Sequence, residues 1–160
     1  PVHLSKEDLM YTLSYAIEVN PEGASPVLNA EQVWKGLEMK AENALPFVPG
    51  MTRCEVVERT DNTILREITF AGDDFKEFIT LHAPVQVQFE RVGTGGFIQN
   101  TISESEKGLM LAFTFALPFP GTEPGSKEER EKGESMRGSY VGAVGATLKT
   151  VRELVSKGEL

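Results

Sequence analysis

The stretch Ser126–Lys157, SKEEREKGESMRGSYVGAVGATLKTVRELVSK, decides the architecture, because it reads as one helix long enough to span a small domain. At ~1.5 Å per residue it would run roughly 48 Å. Pro124 and Gly125 break the chain before it, Ser126 suits the N-cap, and Glu129 three residues on completes the pattern of a capping box. Glu128, Glu129 and Glu131 complement the positive end of the helix dipole. From Met136 the apolar residues recur at helical spacing through Tyr140, Val144, Leu148, Val151 and Val155, which leaves Lys149, Arg152 and Lys157 for water. The first two turns are therefore expected in solvent and the rest against a core. Gly138, Gly142 and Gly145 punctuate this half, each at about 1 kcal/mol relative to alanine in a helix interior. They are expected to thin the helix where it faces its neighbours, either for close packing on a sheet or to leave room for a ligand.

Working back from this helix, the chain supplies the sheet. Tyr11, Leu13, Tyr15, Ile17 and Val19 alternate with Thr12, Ser14 and Glu18, the period-two pattern of a half-buried strand. Asn20 to Pro26 is a loop, after which Asn29 caps a helix over Ala30–Glu42 with Gln32 at the third helical position. Val33, Trp34 and Leu37 form its core face, and a second brief helical turn from Asn43 to Phe47 ends at Pro49-Gly50. Strands are then expected at Thr52–Arg59, Thr63–Phe70, Phe75–Leu81, Val85–Val92, Gly96–Ser103 and Leu109–Leu117, each parted from the next by a short turn. The fold class predicted is α+β: a curved antiparallel sheet of seven strands, two short helices after strand one, and the long helix lying across it.

Composition narrows the function. A chain of 160 residues with 40% apolar content is expected to form a single domain over 1–160. A net charge of -8 repels phosphate backbones and anionic membranes, so no nucleic-acid partner is expected. Cys54 stands alone, no signal-like leader is visible, and no apolar run approaches membrane-spanning length, so a reducing cytoplasmic setting without integral membrane association is the expectation. His3, His82 and Cys54 assemble no standard metal site, and neither a Walker loop nor a nucleophile elbow occurs, so no metal and no cofactor is called for.

The segments Pro26-Val27-Leu28-Asn29-Ala30-Glu31-Gln32-Val33-Trp34-Lys35-Gly36-Leu37 and Phe47-Val48-Pro49-Gly50, taken with the order of elements, resemble the AtaL-like branch of the SRPBCC superfamily. That superfamily has the helix-grip fold of START lipid-transfer domains, the birch pollen allergen and aromatic polyketide cyclases. The resemblance covers essentially the whole chain from Tyr11 onward. It implies a deep apolar cavity between sheet and helix that takes a hydrophobic small molecule. It implies no particular reaction, since relatives carry, cyclise, dehydrate or sense such molecules.

Strand parity singles out the polar residues of that interior. Ile64, Ile68 and Phe70 set the inward parity of the third strand and carry Arg66 with them, while Ile79 and Leu81 carry Glu77 on the fourth. A tight turn near Ala71-Gly72 places Glu77 opposite or diagonal to Arg66. Such a pair fixes register, lies at the sheet rim in water, or contacts the ligand. Asn100 sits between Ile98 and Ile102, opposite Leu111, Phe113 and Phe115, and must find a partner in a ligand, the backbone or water. Tyr15, Tyr140 and Trp34 bring large apolar bodies with one polar handle; most such tyrosines are simply core, and Trp34 is expected in the core or at the cavity rim, while a ligand contact stays open for all three. Ile68, Phe89, Phe113, Val144 and Leu148 are the remaining residues expected to line the ligand. Cys54 reads as a small buried apolar residue and His82 as a solvated one.

Two principal functions remain open. One is a cofactor-independent cyclase, dehydratase or isomerase of polyketide-like secondary metabolism, with Arg66 stabilising an enolate and Glu77 or Tyr140 moving the proton. The other is a carrier that only holds a hydrophobic metabolite. A third, weaker reading is an interaction scaffold filled by its own side chains.

Overall fold

The alternating segments become seven antiparallel strands in the computed structural model, which describes residues 10–160. In chain order they are β1 (Thr12–Glu18), α1 (Ala30–Glu42), β2 (Met51–Arg59), β3 (Thr63–Phe70), β4 (Asp73–His82), β5 (Gln86–Arg91), β6 (Gly96–Ser105), β7 (Gly108–Ala116) and α2 (Lys127–Ser156). The sheet order is β1-β7-β6-β5-β4-β3-β2, so every strand from β2 onward pairs with its successor and β1 closes on the last. This is the helix-grip arrangement expected from the sequence. The β3–β4 turn shows why the register is firm: Ala71 and Gly72 both adopt positive φ, 51° and 85°, the geometry of a two-residue hairpin matched to strand twist.

That register lays the inner face out in rows. Leu13, Phe115, Ile98, Phe89, Ile79 and Ile64 form one row across six strands. Beside it runs Tyr15, Phe113, Asn100, Val87 and Leu81. A third row holds Arg66, Glu77 and Arg91 on adjacent strands β3, β4 and β5. Apolar rows, with Asn100 set in one of them, and one ionic row thus face the helices.

α1 begins on the capping box read from Asn29 and Gln32, whose side chains each accept from the other's backbone N–H at 2.8 and 2.9 Å. It ends at Asn43, whose extended backbone (φ -150°, ψ 104°) breaks the helical path. The second short helix expected over Asn43–Phe47 does not form; a single turn closes there, with Phe47 and Val48 both donating to the Ala44 carbonyl. With Pro46 and Pro49 in so short a segment, there is no run of donors to extend it.

α2 has the expected length but not the expected solvent face. Gly138, Gly142 and Gly145 are exposed, and a Cβ at any of them would meet open space, so they neither thin the helix toward the sheet nor make room inside. The close approaches are made elsewhere: a Cβ on Gly36 would collide with Val151, where α1 crosses α2, and one on Gly133 would enter the Tyr11 ring. The first turns are also not wholly solvated. Ser126 caps by accepting from the Glu129 N–H at 3.1 Å, but the buried Glu129 carboxylate accepts from the backbone N–H of Tyr11 (3.0 Å) and Gly125 (3.3 Å) instead of closing the box. A carboxylate at a helix start thereby ties the chain ahead of β1 to α2. Tyr140, Val144, Leu148 and Val151 are buried as the stripe required. No helix among the described residues is long and apolar enough to cross a membrane.

Candidate functional site

Parity and hairpin geometry bring Arg66 and Glu77 face to face. Each is 2% exposed, and the guanidinium donates from Nε (3.0 Å) and Nη2 (2.9 Å) to Glu77 Oε1. Arg91, next along the row, donates to the other carboxylate oxygen, Oε2, at 3.3 Å. Burial alone would raise the Glu77 carboxyl, but the Arg66 and Arg91 charges and their hydrogen bonds outweigh it and hold the group below the ordinary carboxylate range. Glu77 is therefore an ionised bridge between two arginines. The remaining Arg66 contacts are structural in kind: Nη1 donates to the Lys40 and Ala41 carbonyls at 2.9 and 3.0 Å, capping the C-terminal end of α1 from the sheet.

The residue that sequence reading missed is Lys40. It is 6% exposed, and its Nζ lies 2.8 Å from Asn100 Oδ1 and 4.8 Å from the centroids of both the Phe89 and Phe113 rings. Burial lowers its ammonium from the ordinary 10.5 to about 7; the nearby Arg66 charge adds to that, and Glu77 opposes it. A signal was present, since Lys40 follows Val33 by seven residues and Leu37 by three, putting a charge on the apolar stripe of α1. Asn100, fully buried, finds its partner in this amine through Oδ1, while its Nδ2 has no hydrogen-bond partner among the described residues.

The other expected site residues divide by place. Tyr140 is buried on α2 and stacks on Phe115 at 4.3 Å with a 7° interplanar angle; burial raises its phenol, an effect that Arg91 partly offsets, so it stands protonated as a donor. Trp34, Ile68, Phe89, Phe113, Val144 and Leu148 are all buried on the inner side. Tyr15 is not: it shares the Phe113 row but is 40% exposed, because β1 is the edge strand with a neighbour on one side only. Cys54 is half-buried on β2 rather than sealed in a core, and His82 is exposed. His3 lies outside the described residues.

A cleft of about 300 Å³, open to solvent, is lined by Phe75, Arg91, Thr94 and the Leu117–Pro120 segment, and it leads to the ionic row because Arg91 stacks on Phe75 at 3.9 Å while bonding Glu77. Another, of about 270 Å³, lies on the outer face among Phe78, Thr80, Gln88, Glu90 and Phe97. Between the inner rows and the helices the side chains of Ile79, Val87, Leu111, Phe113 and Val144 pack closely, so the deep cavity implied by the resemblance is met here by a core with a polar centre.

Comparison with known proteins fits this architecture. The family model described as "AtaL: Acetylaranotin biosynthesis cluster protein L" matches residues 13–158. The chain belongs to the AtaL family. Within reach by sequence is the acetylaranotin biosynthesis cluster protein L of Aspergillus terreus, 22% identical over 152 residues, which cover 94% of this chain and 93% of that protein. Among solved structures, the Zhui aromatase/cyclase from Streptomyces sp. R1128 superposes with a TM-score of 0.66 at 17% identity, covering 91% of this chain and 96% of that one. The di-domain aromatase/cyclase StfQ of the steffimycin biosynthetic pathway gives a TM-score of 0.64 at 13% identity, covering 96% of this chain and 53% of that one. At these identities the structural likeness establishes the helix-grip fold.

Proposed function

We propose that this AtaL-family chain acts in secondary metabolism on a hydrophobic, polyketide-like carbonyl compound, as a cofactor-independent cyclase, dehydratase or isomerase. The observation that carries the reading is the polar centre itself: three basic side chains, Lys40, Arg66 and Arg91, around one carboxylate, Glu77, inside an aromatic-walled interior. A fold that needed only stability would gain little from so many buried charges, since apolar residues of like volume usually serve as well or better. Clusters of perturbed groups are what proton-transfer chemistry requires. Glu77 and the two arginines set a positive field that would stabilise a developing enolate, and Tyr140 supplies a protonated phenol beside the apolar wall. The names of the relatives, which point to an acetylaranotin gene cluster and to aromatase/cyclases, support the same class.

A carrier is the second reading, favoured by the Arg66–Glu77 pair, whose members satisfy each other and the end of α1. Both readings require a hydrophobic ligand. Titration with an uncharged apolar fluorophore should show saturable binding and a higher melting temperature, since a ligand at about 100 times its Kd stabilises by roughly 2.7 kcal/mol. Incubation with a linear polyketone thioester should then release water and generate aromatic absorbance. Saturable binding without turnover would select the carrier, and no saturable binding by several probes, with no thermal shift, would remove both.

A further inference from the structure

The cleft that leads to the ionic row has fixed walls and one charge with donors to spare. Pro118 seats against the β5–β6 turn because Gly96 has no side chain; a Cβ there would lie 2.7 Å from the proline ring. Thr94 locks that turn, donating from Oγ1 to the Arg91 carbonyl at 2.9 Å and accepting from the Gly96 N–H at 3.0 Å. The Phe119 carbonyl accepts from the Thr122 N–H and hydroxyl at 3.1 and 2.7 Å, which fixes the far end of the Leu117–Pro120 segment. Most of the lining is apolar, and Arg91 carries its one charge. The Arg91 side chain is 12% exposed, with its guanidinium held face-on to the Phe75 ring and through Nε to Glu77 Oε2. That bond uses one of five N–H donors, and neither Nη has a partner among the described residues. Glu77 is the one carboxylate in a row that holds two arginines, so the row keeps a positive charge in excess. A nearly dehydrated fork of unspent donors on the wall of a rigid apolar cleft is suited to a small anion with an apolar body.

Resting on the functional reading above for the apolar body of the ligand, we propose that this cleft binds a carboxylic acid on a compact ring system, with its carboxylate on Arg91 Nη1 and Nη2 and its rings against Phe75 and the Leu117–Pro120 wall. A guanidinium edge offers two parallel N–H groups that match the two oxygens of a carboxylate, a geometry that an amide, an ester or a ketone fills only by half. A space of about 300 Å³ is at the small end for ligand sites, which suits a body of one or two rings and leaves no room for a long acyl chain. Phe75 and the two prolines are stiff, so little side-chain freedom is lost when a ring lies on them. With the remaining lining largely apolar, Arg91 sets the orientation, head toward the ionic row and rings toward the mouth. Glu77 contributes by holding Nε, which leaves the two Nη groups for the cleft that Arg91 lines.

The test compares two probes of nearly the same shape, 2-naphthoate, ionised at neutral pH, and the uncharged 2-naphthamide, by calorimetric titration of the parent protein, Arg91→Met and Pro120→Asp. The parent should favour the acid by at least about tenfold, as a charge-assisted bidentate contact in a nearly dry site provides. Arg91→Met should bring the ratio to near one while still binding the amide, because the apolar walls are untouched. Pro120 lines the same cleft at an exposed position, so Pro120→Asp keeps the fold and gives a reading that does not depend on the Arg91 variant. It sets a carboxylate beside the ligand's own, and should weaken naphthoate several-fold while leaving naphthamide near its parental affinity. Equal binding of the two probes by the parent, a preference that survives Arg91→Met in folded protein, or naphthoate binding that Pro120→Asp leaves unchanged overturns the site. Saturable binding of neither probe overturns it as well. The functional reading is judged separately, by the apolar fluorophore and the thioester, and falls only if those fail.

Discussion

Replacing Lys40 by methionine should change the pH dependence of stability in a way no surface lysine could. The amine titrates near 7 in the folded protein and at its ordinary 10.5 when unfolded. Below about pH 7 both states carry the proton, and the folded protein bears the full penalty of a buried ammonium. Between about 7 and 10.5 the unfolded chain is protonated and the folded one is not, so unfolding takes up a proton and stability rises with pH by roughly 1.4 kcal/mol per unit. Above the unfolded value both states are neutral and the curve flattens. Across the whole window the linkage amounts to about 5 kcal/mol. Lys40→Met, which keeps the volume and removes the titration, should be the more stable protein near pH 7, less whatever is lost by leaving Asn100 Oδ1 without its donor, about 1–3 kcal/mol. Its advantage over the parent should shrink by about 2 kcal/mol between roughly pH 7 and pH 9. Urea unfolding of both proteins at several pH values measures this directly, provided the m-values agree. Parallel stability curves over that range would refute the reasoning, since they would mean that the amine keeps its proton inside the fold.

Arg66→Met should destabilise by roughly 3–5 kcal/mol, because it leaves Oε1 of the buried Glu77 carboxylate without a donor, with Arg91 alone on Oε2, and uncaps the Lys40 and Ala41 carbonyls at once. Adding Glu77→Leu should recover only part of that loss, as Arg91 then lacks its partner and the α1 carbonyls remain open; full recovery in denaturant unfolding would show that the pair stands alone. Among the helix glycines, Gly142→Ala should stabilise by up to about 1 kcal/mol, since its Cβ meets open space, whereas Gly36→Ala should destabilise by about 1–3 kcal/mol because its Cβ runs into Val151. Melting temperatures that move the same way in the two variants would contradict this assignment of the helix faces.

What the sequence determined by itself is whatever depends on local periodicity and capping. The seven strands, the bounds of α1 and α2 to within a residue, the Asn29–Gln32 box and the inward parity that pairs Arg66 with Glu77 all follow from period two, period 3.6 and turn chemistry. These are properties of neighbours in the chain. What only the tertiary structure decided is which surface covers which. Gly138, Gly142 and Gly145 look like a packing stripe until α2 is seen to bury the face that holds Tyr140, Val144 and Leu148 and to leave the glycines in water. Tyr15 has inward parity, yet it is exposed because its strand lies at the sheet edge. Lys40 and Asn100, sixty residues apart in sequence, meet only because α1 is laid over β5 and β6, and Arg66 holds it there by the carbonyls at its end. A helix presents one face by its own period, but the partner of that face is chosen by the closure of the whole chain, and the burial that lowers the Lys40 amine exists only once that closure is complete.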